Sequence, residues 1–376
     1  MSSKSKRLIF SARDAGSAGH VAALVAEFAI RDIETTIIAE EAAQVYFETS
    51  RVPYMAADVW LSSTSTLEEP ADAVVMAIER LTQIGASAVV CGRSSSQVNG
   101  IDEIVITAAR LLSIPSFVIQ DFWGDVWAEE LHPDHYFVID ELAASLTRER
   151  TAADVHVIGS PKHAQYSYID FQDLRKKGRI ALGIGPEAST IGYFGQDLLG
   201  VHGYHQVLQD IGEALTQMHG IAFLYKPHPR ESKASQSQSL KLLRESGANP
   251  VVAENLTVEA AIATADVVLS CFSTVALDSA FMMHASELIN VSIVCADYPE
   301  DVSDLWRPAT GLVEFPLVTH GIALAAGDRL SLTKALHLSL TPAEQKRQGA
   351  ACRSNLTNPG AAINRAYELI TRIIKS

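Results

Sequence analysis

IAFLYKPHPRE, residues 221–231, decides how this chain is read. Five apolar and aromatic residues (221–225) read as a buried strand, which Lys226, Pro227, His228, Pro229 and Arg230 then stop abruptly. Pro227 and Pro229 remove two backbone donors and stiffen the exit. In an open parallel sheet, ligands sit outside the carboxyl ends of the strands. The stretch therefore predicts a rigid corner on the ligand side of a sheet. His228 is held there between two cations, Lys226 and Arg230, a combination suited to a phosphate.

The surrounding sequence repeats the alternation that this reading needs. Before the corner, RIALGIG (179–185) reads as a strand and YHQVLQDIGEALTQM (204–218) as a helix. After it come the helix SLKLLRESG, the strand VVAE, the helix TVEAAIATA, the strand ADVVLSC, the helix STVALDSAFM (273–282) and the strand ELINVSIV. The first half behaves alike. RLIFSA (7–12), TTIIAE (35–40), SAVVCG (87–92), SFVIQD (116–121), YFVID (136–140) and VHVIG (155–159) read as strands. Helices are expected at 19–31, 71–85 and 101–114. Short apolar strands alternating with helices imply a parallel sheet covered on both faces. The expected fold class is α/β, with two Rossmann-like doubly wound domains facing a cleft. The expected domains are 1–165, a polar linker at 166–178, and 179–376. The amphipathic final helix (361–375) is expected to pack back on the N-terminal domain.

Bulk properties narrow the function. The chain has 376 residues, beyond the size at which one core usually stops growing. Its net charge is −14, and a general nucleic-acid binder would carry a basic face, so nucleic acid is not an expected partner. The four cysteines, Cys91, Cys271, Cys295 and Cys352, show no metal-ligand spacing and read as buried free thiols of a reducing compartment. The N-terminal apolar run is too short for a signal peptide, and no stretch approaches the ~20 apolar residues of a membrane span. A cytoplasmic protein is expected, and peripheral membrane association is compatible with this.

Other strand ends add candidate residues. ARDAGSAGH (12–20) follows the first strand, and Gly16, Ser17 and Gly19 read as a small-residue turn into a helix begun by His20. Backbone amides at such a turn can face an anion. The spacing is not that of a dinucleotide fingerprint. Asp14 and His20 at a cleft rim suit general-base work. GRSSSQVNGIDE (92–103) is a polar loop that could hold a ligand or simply be solvated. DFWGDVW (121–127) offers Asp121 and two tryptophans, either as a rim that stacks on a sugar or as packing at a domain interface. In SCFST (270–274), Ser270 ends a strand, and Ser273 and Thr274 start a helix whose amides and hydroxyls can bind an anion. Simple capping by Ser273 is the alternative.

With KPHP (226–229) and SCFST (270–274), the chain resembles GT-B glycosyltransferases. It is most similar to bacterial capsule and teichoic-acid enzymes with an HP motif and a downstream S/ST motif, which include sialyl-, Kdo- and glycerophospho-transferases. The resemblance implies a nucleotide-activated donor on the C-terminal domain, linked through CMP, CDP or UDP. His228 would contact its phosphate or ribose, and Ser273 and Thr274 its phosphate. It also implies an acceptor on the N-terminal domain and no cofactor or metal. The acidic pair of the sialyltransferases is absent, since RDAG (13–16) has a single carboxylate.

The leading expectation is a transferase moving a sugar or polyol phosphate to a glycan, lipid-linked or other hydroxyl acceptor. Asp14 is the first candidate base, His20 the second and Asp121 the third. A hydrolysing nucleotide-sugar 2-epimerase or hydrolase on the same scaffold is the second reading. A catalytically silent nucleotide-binding subunit is the third.

Overall fold

Runs such as VVCG (89–92), SFVI (116–119) and VVLS (267–270) are buried along their whole length, so the strands they form must be covered on both faces. Parallel pairing with helical crossovers does this. The protein is described by a computed structural model covering residues 6–61, 70–94, 100–127 and 131–375. It divides into two compact units, residues 1–165 with 357–376, and residues 166–356.

In the first unit the strands are β1 (Arg7–Ala12), β2 (Glu34–Ala39), β3 (Met55–Ala56), β4 (Ala88–Gly92), β5 (Ser116–Ile119), β6 (His135–Val138) and β7 (Asp154–Val157). They form one parallel sheet in the order β3-β2-β1-β4-β5-β6-β7. The second unit holds β8 (Thr190–Phe194), β9 (Ala222–Lys226), β10 (Val251–Val252), β11 (Val267–Ser270), β12 (Ser292–Cys295) and β13 (Leu324–Ala325). Its sheet is also parallel, ordered β10-β9-β8-β11-β12-β13. Both are doubly wound. The order reverses between β1 and β4 and between β8 and β11, the places where such sheets open for ligands.

The helix Ala362–Ile373 belongs to the first unit although it ends the chain. Ala366 and Ile370 lie in one core with Leu8, Phe10 and Phe28. Tyr367 packs on Phe28 with ring centroids 5.1 Å apart, and the Arg31 guanidinium lies 4.0 Å above the Tyr367 ring. All four cysteines are buried free thiols.

Three local expectations are corrected. Residues 171–182 form a helix, where a polar linker and then a strand from 179 were expected. Asp170 caps its start by accepting from the Asp173 amide, and Gly183 closes its end at φ 67. Arg179 is buried and donates to the carbonyls of Gly185, Pro186 and Ala188, and it pairs with Asp266 at 3.2 Å. A side chain read as the start of a strand is thus a clamp within a helix, and the strand begins only at Thr190. Likewise, the first helix starts at Ala15, not at His20, because Asp14 caps it. Gly16, Ser17 and Gly19 are therefore helical residues rather than a turn. The strand expected from ELINVSIV is confined to Ser292–Cys295.

Gly92, the last residue of β4, allows this helix to approach. A Cβ there would stand 2.3 Å from Ser17 Cβ and 2.8 Å from Ser17 Cα. Gly92→Ala is expected to destabilise the chain by about 1–3 kcal/mol, as overpacking does. Urea unfolding of the variant, compared with a Gly200→Ala control, where a Cβ would meet nothing within 4 Å, measures it.

Candidate functional site

In the first unit the loops after β1, β4 and β5 meet at the point where strand order reverses. Asp14 Oδ1 accepts from the Ser17 amide at 2.9 Å. Ser94 Oγ, after β4, accepts from the amides of Arg13 at 3.2 Å and Asp14 at 3.3 Å, and lies 2.9 Å from Ser17 Oγ. The β1 and β4 loops are thereby stitched together. Arg13 is buried, with Glu41 at 3.8 Å and Glu103 at 3.9 Å. Residues 95–99 of the polar loop GRSSSQVNGIDE lie outside the described residues.

Asp121, after β5, comes to the start of the first helix. A Cβ on Gly16 would lie 2.5 Å from Asp121 Oδ2 and 3.6 Å from Asp14 Oδ1. Desolvation by surrounding protein pushes the Asp121 carboxyl up to about 7, Asp14 and Asp125 push the same way, and Lys162 and Arg93 oppose them. Asp102 also reaches about 7, again chiefly through burial, but it is sealed inside and accepts from Ser11 Oγ at 2.5 Å. Asp121 keeps a partial opening to the surface. Of these two carboxyls, it is therefore the one an incoming hydroxyl can reach.

The β5 loop that carries Asp121 is well fastened. Gln120 Nε2 donates to the Asp125 carbonyl at 3.0 Å, and Arg93 Nη2 reaches Asp125 Oδ1 at 2.7 Å. Trp123 Nε1 donates to Asp140 Oδ2 at 2.9 Å, and the Trp127 amide to Tyr136 Oη at 3.1 Å. Both tryptophans are buried, so they do not form an exposed rim. His20 is fully buried within the first helix, with both ring nitrogens lacking hydrogen-bond partners among the described residues. Burial pulls its pKa well down, helped by Lys162 and His163, so the ring is neutral.

In the second unit the loops after β8, β9 and β11 converge in the same way. Gln196 Oε1 accepts from the Phe272 amide at 3.1 Å and so ties the β8 loop to the β11 loop. The Gln196 amide in turn donates to Tyr204 Oη at 3.1 Å. At the β9 corner, buried Glu231 accepts from the His228 amide at 2.6 Å, Tyr225 Oη at 2.8 Å and Ser239 Oγ at 3.3 Å. Burial pushes its carboxyl up, and these three bonds oppose the shift.

His228 is partly exposed, and its Nδ1 accepts from the Arg230 amide at 3.1 Å. Desolvation lowers its pKa, as does Arg230, with Asp197 opposing. The ring is thus neutral at pH 7, with the proton on Nε2. Lys226 Nζ donates to the carbonyls of Glu254 at 3.1 Å and Leu256 at 2.5 Å, which clamps the loop after β10. Arg230 is exposed.

After β11, Ser273 caps the helix Thr274–Ala285, its Oγ accepting from the Val275 amide at 3.3 Å. Thr274 is exposed, whereas Ser270 is fully buried, its Oγ lacking a partner among the described residues. The arrangement offers an imidazole N–H, a hydroxyl and a helix start, all suited to an anion.

Neither a protein-family model nor a curated protein sequence matches the chain. Solved structures do. UDP-GlcNAc 2-epimerase from Neisseria meningitidis, bound to UDP-GlcNAc, matches with a TM-score of 0.66 at 13% identity, over 98% of this chain and 100% of that one. MurG of Acinetobacter baumannii matches at 0.64 and 14% identity, over 98% and 99%. A glycosyltransferase of Rickettsia africae matches at 0.67 and 10% identity, over 99% and 100%. The chain has the GT-B fold. At these identities the likeness establishes the fold and nothing finer. Among the described residues no helix is long and apolar enough to cross a membrane.

Proposed function

We propose that the protein is an enzyme acting on a nucleotide sugar, and that its reaction is transfer of the sugar, or of a related polyol phosphate, to a hydroxyl acceptor. The observation that carries this reading is the state of His228. A backbone amide occupies Nδ1, so Nε2–H is the ring's one donor, and Glu231 braces the corner that carries it. A neutral donor after β9 and a helix start after β11, at the same carboxyl edge of one sheet, suit a nucleotide phosphate or ribose, and such donors stabilise charge that develops on a departing phosphate. Ser273 and Thr274 supply the helix start. Lys226 braces the corner, and Arg230 adds positive field from the surface. Asp121, a carboxyl poised near neutrality, takes the acceptor's proton. Asp14 positions the first helix as its cap. These roles reverse the ranking drawn from sequence, in which Asp14 led.

The 2-epimerase reading has support from the structural neighbours that carry that name. Incubation with a nucleotide sugar separates the two readings. Epimerised or free sugar formed without acceptor supports the epimerase, and product formed only with acceptor supports the transferase.

The ligand class has its own test. In a thermal-shift series of CMP, CDP, UDP and their sugars, at least one ligand is expected to raise the melting temperature by mass action. His228→Ala is expected to weaken that ligand about tenfold or more, while the free protein melts nearly unchanged because the ring is partly exposed. Equal affinity of both proteins in calorimetry overturns the assignment of His228.

A further inference from the structure

The amino-terminal edge of the first unit's sheet carries a second constellation, unrelated to the nucleotide reading. β6 and β7 are adjacent and parallel, with His135 paired to Asp154 and Phe137 to His156. Alternate residues of a strand share a face, so His135, Asp154 and His156 project on the same side of two neighbouring strands. One ligand atom from each lies within 4.8 Å of the others. His156 Nε2 stands 3.3 Å from His135 Nδ1, and Asp154 Oδ2 stands 3.6 Å from that same Nδ1. Zinc bonds of about 2.0–2.1 Å set at tetrahedral angles place neighbouring ligands ~3.3 Å apart, so both separations suit one ion.

Packing holds both rings in place. His135 stacks on Phe117 with centroids 4.8 Å apart, and His156 meets Phe137 edge-on at 5.9 Å. The charges around them oppose each other. Asp154, Arg372 and Arg148 act on His156, and Asp134 and Asp154 act on His135. His135 and Asp154 line a surface cavity of about 710 Å³, through which water can complete the coordination.

We propose that His135, Asp154 and His156 bind one divalent transition-metal ion, Zn²⁺ by preference. Two imidazoles and a carboxylate form a donor set suited to zinc, and the buried cysteines offer no competing thiolate cluster. The ion would join the edge strand β7 to β6.

Titration of the full chain with Zn²⁺ against a chelating dye tests this. One equivalent is expected to bind, with accompanying thermal stabilisation. Asp154→Asn and His156→Gln are each expected to weaken binding at least ~10-fold, since loss of a direct ligand should cost no less than the 10–100-fold lost with an outer partner. The Asp154 side chain is 76% exposed, so its substitution should leave the metal-free melting temperature in place and show that the variant folds. If the wild-type chain takes up no Zn²⁺, or both variants bind it as the wild type does, the two histidines merely share a hydrogen bond and the proposal falls.

Discussion

Asp121→Asn is expected to lower turnover by about 10²–10⁴-fold, the usual loss when a general base is removed. The assay uses whichever nucleotide sugar most stabilises the protein. Binding of that donor should change little. The wild-type rate should fall as pH drops through about 7, because only the ionised carboxylate accepts a proton and burial holds this group near that value. The same group makes a second, opposite expectation. Its folded carboxyl titrates near 7, against 3.8 for an unperturbed one. The folded state therefore keeps a proton that the unfolded chain has already released. That contribution to stability is complete below about pH 4 and is lost as pH rises through about 7. At 1.36 kcal/mol per pKa unit the upper bound is ~4 kcal/mol, and partial exposure brings it nearer ~2 kcal/mol. Asp121→Asn should thus melt higher than wild type at pH 8 and alike at pH 4. A variant that keeps full turnover removes Asp121 from the chemistry. Equal melting at pH 8 would show that its carboxyl is not desolvated as described.

Glu231→Ala should have the largest effect on the second unit. The carboxylate accepts from the His228 amide, Tyr225 Oη and Ser239 Oγ, and it is buried. Its removal leaves a backbone N–H and a phenol unpaired where water has little access. Each such group costs about 1–3 kcal/mol, so a loss of about 2–6 kcal/mol is expected in urea unfolding. The corner that orients His228 loosens with it, and nucleotide affinity should fall in parallel. Glu231→Gln keeps the shape and one acceptor oxygen, so it should fall between the two. If Glu231→Ala unfolds at the wild-type urea concentration, the brace contributes nothing.

How much of this was legible in the sequence differs from element to element. IAFLY, VVLS and AVVCG announced themselves as strands, because an apolar run bounded by polar residues has few other places to go. The stop at KPHPRE was equally plain, since Pro227 and Pro229 cannot extend a ladder. Helix ends were less legible. Asp14 caps a helix that the glycines after it argue against, and Arg179, read as the start of a strand, closes the last turn of one. In both cases one side-chain hydrogen-bonding pattern outweighed local propensity.

The candidate sites divide in the same way. Strand endings, their loops and the residue types at them are local properties, so His228, Ser273, Asp14 and Asp121 could be found by reading along the chain. Which of them could act was decided by tertiary structure, because desolvation and pairing depend on neighbours far away in sequence. His20 was withdrawn into the core, and Lys226 was bound to carbonyls some thirty residues on. Asp121 was lifted toward neutrality by the protein packed around it. Glu231 was visible in KPHPRE, but its partners Tyr225 and Ser239 give no sign in the sequence that they converge on it. The His135, Asp154 and His156 cluster could not be read at all. Its three members lie on two strands separated by a helix, and only the parallel register of β6 with β7 sets them on one face.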